Sequence, residues 1–241
     1  MAWRDPEPKK EYDAIIIGGG GHGLATAYYL AKEYEIKNIA ILEKGWIGGG
    51  NIGRNTTILR SNYMHDANNL FYDHGMQMWK GLSQELNYNV MYSPRGILNL
   101  AHSDAQLNAY SRRGNSMRLN GIEASLLGRE EVRKIIPFAD FTDNARFPIF
   151  GGLMQSIGGT ARHDAVAWGY ARAADDLGVD IIQHCEVTGF DIVNGSVQGV
   201  HTSRGFIKTN KIGLCVAGST SILAEKLNMS LPIESLSLIH I

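Results

Sequence analysis

The chain has 241 residues, with 23 lysines and arginines against 24 acidic residues and a formal net charge of −1. That length suffices for one large domain or two small ones with a real core, and the charge balance gives no electrostatic case for nucleic acid or an anionic membrane as a partner. The two cysteines, Cys185 and Cys215, have no metal-ligand spacing. They suit a reducing, cytoplasmic setting, and neither a signal-peptide core nor a run of ~18 apolar residues is present.

Residues 12–18, YDAIIIG, form an apolar, β-branched run ending in glycines, which predicts a buried strand. HGLATAYYLAKEY (22–34) predicts a helix and NIAILEK (38–44) a second buried strand. Strand, helix and strand in this order make a βαβ unit with a right-handed parallel crossover. GWIGGGNIGRNTTILRSNY (45–63) then reads as a long glycine-rich loop. A helix is expected over 67–86, a strand over 95–101, and helical patterns over 103–120 and 129–135. Another helix starts at His163, with Trp168 and Tyr170 expected to pack it onto a sheet. Three strand-like stretches follow: VDIIQHCEVTGFDIV, SVQGVHTSRGFIKT and KIGLCVAGS. Within them, SVQGVHT alternates as a half-exposed antiparallel strand does. The last six residues, LSLIHI (236–241), lack a turn, cap or polar end and match one reading frame of a common transposase sequencing adapter. They are expected to be an artefact, and the chain to be an N-terminal fragment.

The chemistry begins at IIIGGGGHG, which contains G-x-G-x-x-G as Gly18, Gly20 and Gly23. The first glycine permits the tight turn, the second lets a pyrophosphate approach the backbone, and the third lets helix and strand pack closely. A helix start offers free N–H groups and partial positive charge to a diphosphate. Glu43, 20 residues beyond Gly23, ends the next strand, where a carboxylate accepts ribose hydroxyls. An adenine dinucleotide site follows, with NAD and FAD both open on the motif alone. The glycine-rich loop, with Asn51 and Thr56 as polar contacts, favours flavin, since simple NAD dehydrogenases continue with another βα repeat. Arg60, behind Ile58 and Leu59, is placed to clamp a carboxylate bidentately; the alternative is a surface ion pair. No metal site is expected: the remaining histidines show no ligand spacing, and Met64, Met76 and Met78 read as packing residues.

AIIIGGGGHGLATAYYLA, ILEKGWIGGGNIGRNTTILRSNY, RHDAVAWGYARAADDLGVDIIQHCEVTGF and LCVAGSTSILAEKLNMSLPIES resemble the β subunits of heterotetrameric sarcosine oxidases, over residues 12–235. The resemblance implies an α/β fold: a Rossmann-like FAD-binding domain of the glutathione-reductase-like class, with a partial, mostly antiparallel β-sheet substrate domain. One FAD-dependent oxidoreductase domain is expected over 12–235, with FAD-binding segments at about 12–64 and 160–230 and a substrate segment at about 65–159. It implies oxidation of sarcosine to glycine and a one-carbon unit, with noncovalent FAD as hydride acceptor, electrons passed to FMN, and O2 reduced to H2O2. The implied partners are α, γ and δ subunits, with tetrahydrofolate used by the α subunit.

By the same resemblance Gly21, His22, Glu43, Asn51, Thr56 and Ile58 contact FAD, and Val187 contacts adenine through its backbone. Arg60 falls where the wider amine-oxidase family binds the substrate carboxylate. His163 matches the histidine that carries covalent FMN. Attachment needs a neutral imidazole, and a helix N-terminus disfavours the imidazolium; Arg162 adds to that push and Asp164 opposes it. The family's late second glycine-rich segment is not in this sequence, so the flavin site is expected to be incomplete. Two other readings remain open: a one-flavin oxidase or dehydrogenase of another N-methyl or α-amino acid, and a non-catalytic dinucleotide-binding subunit.

Overall fold

The computed structural model describes residues 4–233, so the suspected adapter-derived residues 236–241 lie outside the described residues. In chain order the elements are β1 (Ala14–Ile17), α1 (Gly21–Glu33), β2 (Ile39–Leu42), β3 (Ile58–Leu59), α2 (Asp66–Glu85) and β4 (Ile97–Ala101). Then come α3 (Asp104–Leu119), β5 (Ser125–Gly128), α4 (Arg129–Ile135), β6 (Gly151–Gln155), β7 (Gly159–Thr160) and α5 (His163–Asp176). The last are β8 (Asp180–Ile182), β9 (Val187–Val193), β10 (Ser196–Thr202), β11 (Gly205–Lys208), β12 (Ile212–Leu214) and α6 (Thr220–Glu225). The described residues divide into two compact units, one holding 4–55, 86–88 and 163–233, the other 56–85 and 89–162.

The first unit is built on a parallel sheet in the order β12-β1-β2-β8. Every residue of β1 and β2 is buried, which is why both read as unbroken apolar runs: a parallel sheet is covered on both faces. One alternation, Ile15, Ile17, Ala40 and Leu42, packs into a core with Val200 and Ile207 of the antiparallel β9-β10-β11 sheet. The other alternation, Ile16, Ile39 and Ile41, is equally buried, and α1 packs against both strands. Gly23, Leu24, Ala27, Tyr28 and Ala31 form the buried stripe of α1 at helical spacing. α5 packs against α1, and its Gly169 makes room for Leu86 and Tyr88, which a Cβ there would meet at 3.2 and 3.3 Å.

Trp168 and Tyr170 part company with expectation. Tyr170 is buried against Tyr28 and Tyr29 of α1, edge to face at 5.7 and 6.1 Å, so it docks helix on helix. Trp168 is 41% exposed. The stretch from 179 to 193 is two strands, β8 and β9, broken where His184 takes a left-handed backbone (φ 50°). SVQGVHT is antiparallel to both neighbours, but a bulge between Val197 and Gly199 breaks the alternation, so Gly199 and Val200 are both buried.

The second unit holds the antiparallel sheet β4-β6-β5 and the small antiparallel pair β3-β7. Its core gathers Met117, Ile122, Ala124 and Leu153. Ser103 caps α3, its hydroxyl accepting the Gln106 N–H at 3.2 Å. Met76 is buried as a packing residue, whereas Met64 and Met78 are exposed. Among the described residues no helix is long and apolar enough to cross a membrane, and no cluster of His, Cys, Asp or Glu could hold a metal.

Candidate flavin and carboxylate sites

The glycines after β1 differ in what surrounds them. Gly18 has φ +108°, and a Cβ there would lie 2.4 Å from the Cys215 carbonyl oxygen just beyond β12. A Cβ at Gly23 would lie 1.9 Å from the Gly18 carbonyl oxygen, so α1 leaves the strand too closely for any side chain. At Gly20 nothing lies within 4 Å. No protein atom demands a glycine there, and the open space fits a ligand that must meet the backbone itself. Gly20 is also the N-cap of α1, without a side-chain cap. The N–H groups of Gly21, His22 and Gly23 therefore have no acceptor within the helix, which suits an anionic diphosphate. His22 is exposed beside them.

Glu43, the residue after β2, accepts the Gly19 N–H on Oε2 at 2.7 Å and the Gly45 N–H on Oε1 at 2.8 Å. Its carboxylate is thus fixed against the glycine turn, with lone pairs left for ribose hydroxyls. Asn51 opens a single 3-10 turn, 51–54, and is exposed; α5 packs against that turn. Val187 starts β9, its side chain buried in the core with Ile17, Leu42 and Ile182. Cys215 lies half-buried behind the glycine turn; burial pushes its thiol up, opposed by a hydrogen bond with Thr26. His163 is the first residue of α5, and its Nδ1 is a buried polar atom without a hydrogen-bond partner among the described residues.

Three of the expected site residues lie in the second unit. Thr56 is exposed, and Ile58 and Leu59 pair with Thr160 and Gly159. Between them Thr57 has φ 62°, unusual for a β-branched residue, with its carbonyl accepting the Ala161 N–H at 3.2 Å. The two-residue strand ends one residue before Arg60. Arg60 is half-buried, its Nη1 donates to Asn62 Oδ1 at 2.7 Å, and its guanidinium lies 4.8 Å from the Tyr63 ring centroid. Tyr63 stacks on Tyr72 at 4.4 Å. Burial pushes the Tyr63 phenol above its ordinary value and the Arg60 charge works against that rise.

The structure thus brings Gly18, Gly20, Gly21, His22, Gly23 and Glu43 to one turn, and sets the Asn51 turn against the helix that His163 begins. It also supplies parts that inspection of the sequence missed: the Gly19 and Gly45 N–H groups that hold Glu43, and Asn62 behind Arg60. Asn62 stands two residues from Arg60 and was open to notice; no local signal marks its own partner, Asn99.

A model of FAD dependent oxidoreductases matches residues 13–240. The chain belongs to this FAD-dependent oxidoreductase family. Within it the chain is similar to the sarcosine oxidase subunit beta of Rhizobium meliloti (strain 1021), 64% identical over 234 residues, covering 97% of this chain and 56% of that protein. It is also similar to the sarcosine oxidase subunit beta of an Arthrobacter species, at 49% identity over 97% of this chain and 58% of that protein. The chain therefore spans a little over half the length of these curated relatives. Among solved structures, L-proline dehydrogenase from P. horikoshii superposes with a TM-score of 0.85 at 24% identity, over 94% of this chain and 58% of that one. That likeness speaks to the fold: an α/β FAD-dependent oxidoreductase fold with a parallel sheet and antiparallel sheets.

Proposed function

We propose that this chain acts as the β subunit of a cytoplasmic heterotetrameric sarcosine oxidase, with α, γ and δ partners. The reaction is oxidation of sarcosine to glycine and a one-carbon unit, with O2 reduced to H2O2 and tetrahydrofolate on the α subunit receiving the one-carbon unit. The observation that carries this reading is the 64% identity to a sarcosine oxidase subunit beta across 97% of the chain.

The residues fit FAD. The Gly18–Gly23 turn offers uncapped N–H groups and an open approach at Gly20, and Glu43 is held by two main-chain donors with its carboxylate ready for ribose hydroxyls. Asn51, Thr56, Ile58 and the Val187 backbone complete the set. When bound, FAD supplies a two-electron acceptor for the amine. Arg60 binds the substrate carboxylate and so orients the N-methyl group. His163 fits a covalent FMN, because its buried Nδ1 has bonding capacity that nothing among the described residues meets.

The test is mass spectrometry of the denatured, trypsin-digested full-length protein purified with its partners. The peptide HDAVAWGYAR, His163 to Arg172, is expected to carry the mass of FMN, while FAD is released on denaturation. A bare peptide with FAD released would point instead to a one-flavin oxidase or dehydrogenase of another N-methyl or α-amino acid.

A further inference from the structure

Arg60 has no anion of its own among the described residues. Among the described residues it makes one hydrogen bond, to the neutral Asn62 amide, and one ring contact, and no ion pair. Tyr63 does not supply the missing charge, since burial keeps its phenol protonated well beyond neutral pH.

The orientation of Asn62 is set from behind. Asn62 is 1% exposed, and its Nδ2 donates to Asn99 Oδ1 at 2.5 Å. Asn99 sits on β4 in register with Leu153 of β6, so that acceptor is fixed by a sheet. An amide has donors on one side and an acceptor on the other. With Nδ2 committed to Asn99, Oδ1 faces the guanidinium. Next to it the fully buried Ser61 exchanges two hydrogen bonds with Gln155, N–H to Oε1 at 3.1 Å and Nε2 to Oγ at 2.6 Å. The backbone that follows Arg60 is therefore tied down, and its guanidinium is aimed by a group that leaves its charge intact.

We propose that Asn62 is a specificity-determining positioning residue: it holds Arg60 with a neutral acceptor and so keeps the guanidinium uncompensated for a substrate carboxylate. The proposal rests on the reading of Arg60 as the carboxylate-binding group. Aspartate at 62 is nearly isosteric. It would keep an acceptor on Arg60, and a flipped Asn99 amide could donate to its other oxygen, so the packing survives. What changes is that Arg60 acquires an internal anion at hydrogen-bond distance, in competition with the substrate's.

The experiment compares kcat/KM for sarcosine and for its neutral primary amide in the full-length holoprotein with its partner subunits, and the dissociation constant of acetate read from the flavin absorbance. Arg60→Ala is expected to lower the sarcosine-to-amide ratio and thereby establishes the clamp. Asn62→Asp is expected to lower the same ratio by on the order of tenfold or more through KM, about 1.4 kcal/mol per decade. Acetate binding should weaken in parallel, while the amide's kcat/KM changes less than about twofold. If Asn62→Asp does not accumulate as folded protein, Asn99→Leu carries the test: it frees the Asn62 amide and is expected to lower the ratio severalfold. An unchanged ratio in Asn62→Asp, or in that substitute, with a lowered one in Arg60→Ala overturns the role of Asn62 and leaves the clamp standing. An unchanged ratio in Arg60→Ala removes the clamp, and the proposal with it.

Discussion

Both carboxylate oxygens of Glu43 are taken by main-chain donors, Gly19 on one and Gly45 on the other, so even a conservative change there is costly. Glu43→Gln turns one acceptor into an NH2 group facing an N–H, leaving a donor without a partner at about 1–3 kcal/mol if buried. We expect Glu43→Gln protein to lose FAD on gel filtration under conditions in which the parent stays yellow. Tyr12 is a second residue with a measurable signature. Its hydroxyl donates to Asp180 at 3.0 Å and accepts the Lys9 N–H at 3.0 Å. Burial first, and then the Asp180 carboxylate, push its phenol up to about 12, with the Lys9 N–H pulling the other way. A folded value raised above the unfolded value of 10 means stability that is fully present below about pH 10 and lost as pH climbs toward 12. A rise of that size is worth at most about 2–3 kcal/mol. Thermal melts from pH 8 to 12 should show the gap between parent and Tyr12→Phe narrowing above pH 10; a gap constant across that range would contradict the assignment.

At the level of elements, two glycines of the same turn have opposite prospects. A methyl at Gly20 enters open space, whereas one at Gly23 meets the Gly18 carbonyl oxygen at 1.9 Å. Gly20→Ala is expected to leave the flavin-free protein's melting temperature within about 1 °C while FAD affinity falls; Gly23→Ala should lower both, since overpacking costs roughly 1–3 kcal/mol. Calorimetry of the apoprotein beside FAD titration separates the two. The βαβ unit around these glycines was legible in the sequence because β1, α1 and β2 are contiguous and each carries its own pattern. β3 was not: two residues hold no periodicity, and its partner β7 lies about a hundred positions away, so its pairing is written in tertiary contact alone. The same applies to Arg60. Its identity as a candidate was visible, but the neutral amide behind it depends on Asn99, brought up by a different strand. Trp168 and Tyr170 show the converse limit. Helical spacing marked both as candidates for packing but did not say that Tyr170 would face another helix and Trp168 solvent.

For the molecule as a whole, FAD is a ligand of the folded state only, so its binding should appear as stability. At a free FAD concentration of 100 times the dissociation constant the gain is about 2.7 kcal/mol, which for a chain of this size raises the melting temperature by roughly 5–10 °C. Thermal shift against FAD concentration measures this, and Arg60→Ala should leave the slope unchanged, because Arg60 is assigned to substrate and not to flavin. The parallel sheet adds a constraint on biosynthesis. β1 emerges among the first 17 residues, yet one of its two hydrogen-bonding edges is completed by β12, residues 212–214. At ribosomal speeds of about 5–20 residues per second, that edge waits roughly 10–40 s for its partner. During that interval the nascent chain offers an apolar strand with open N–H and C=O groups to any neighbour. The Gly18–Gly23 turn, whose first glycine is wedged against Cys215, therefore takes its final shape only after about two hundred further residues have been added behind β1.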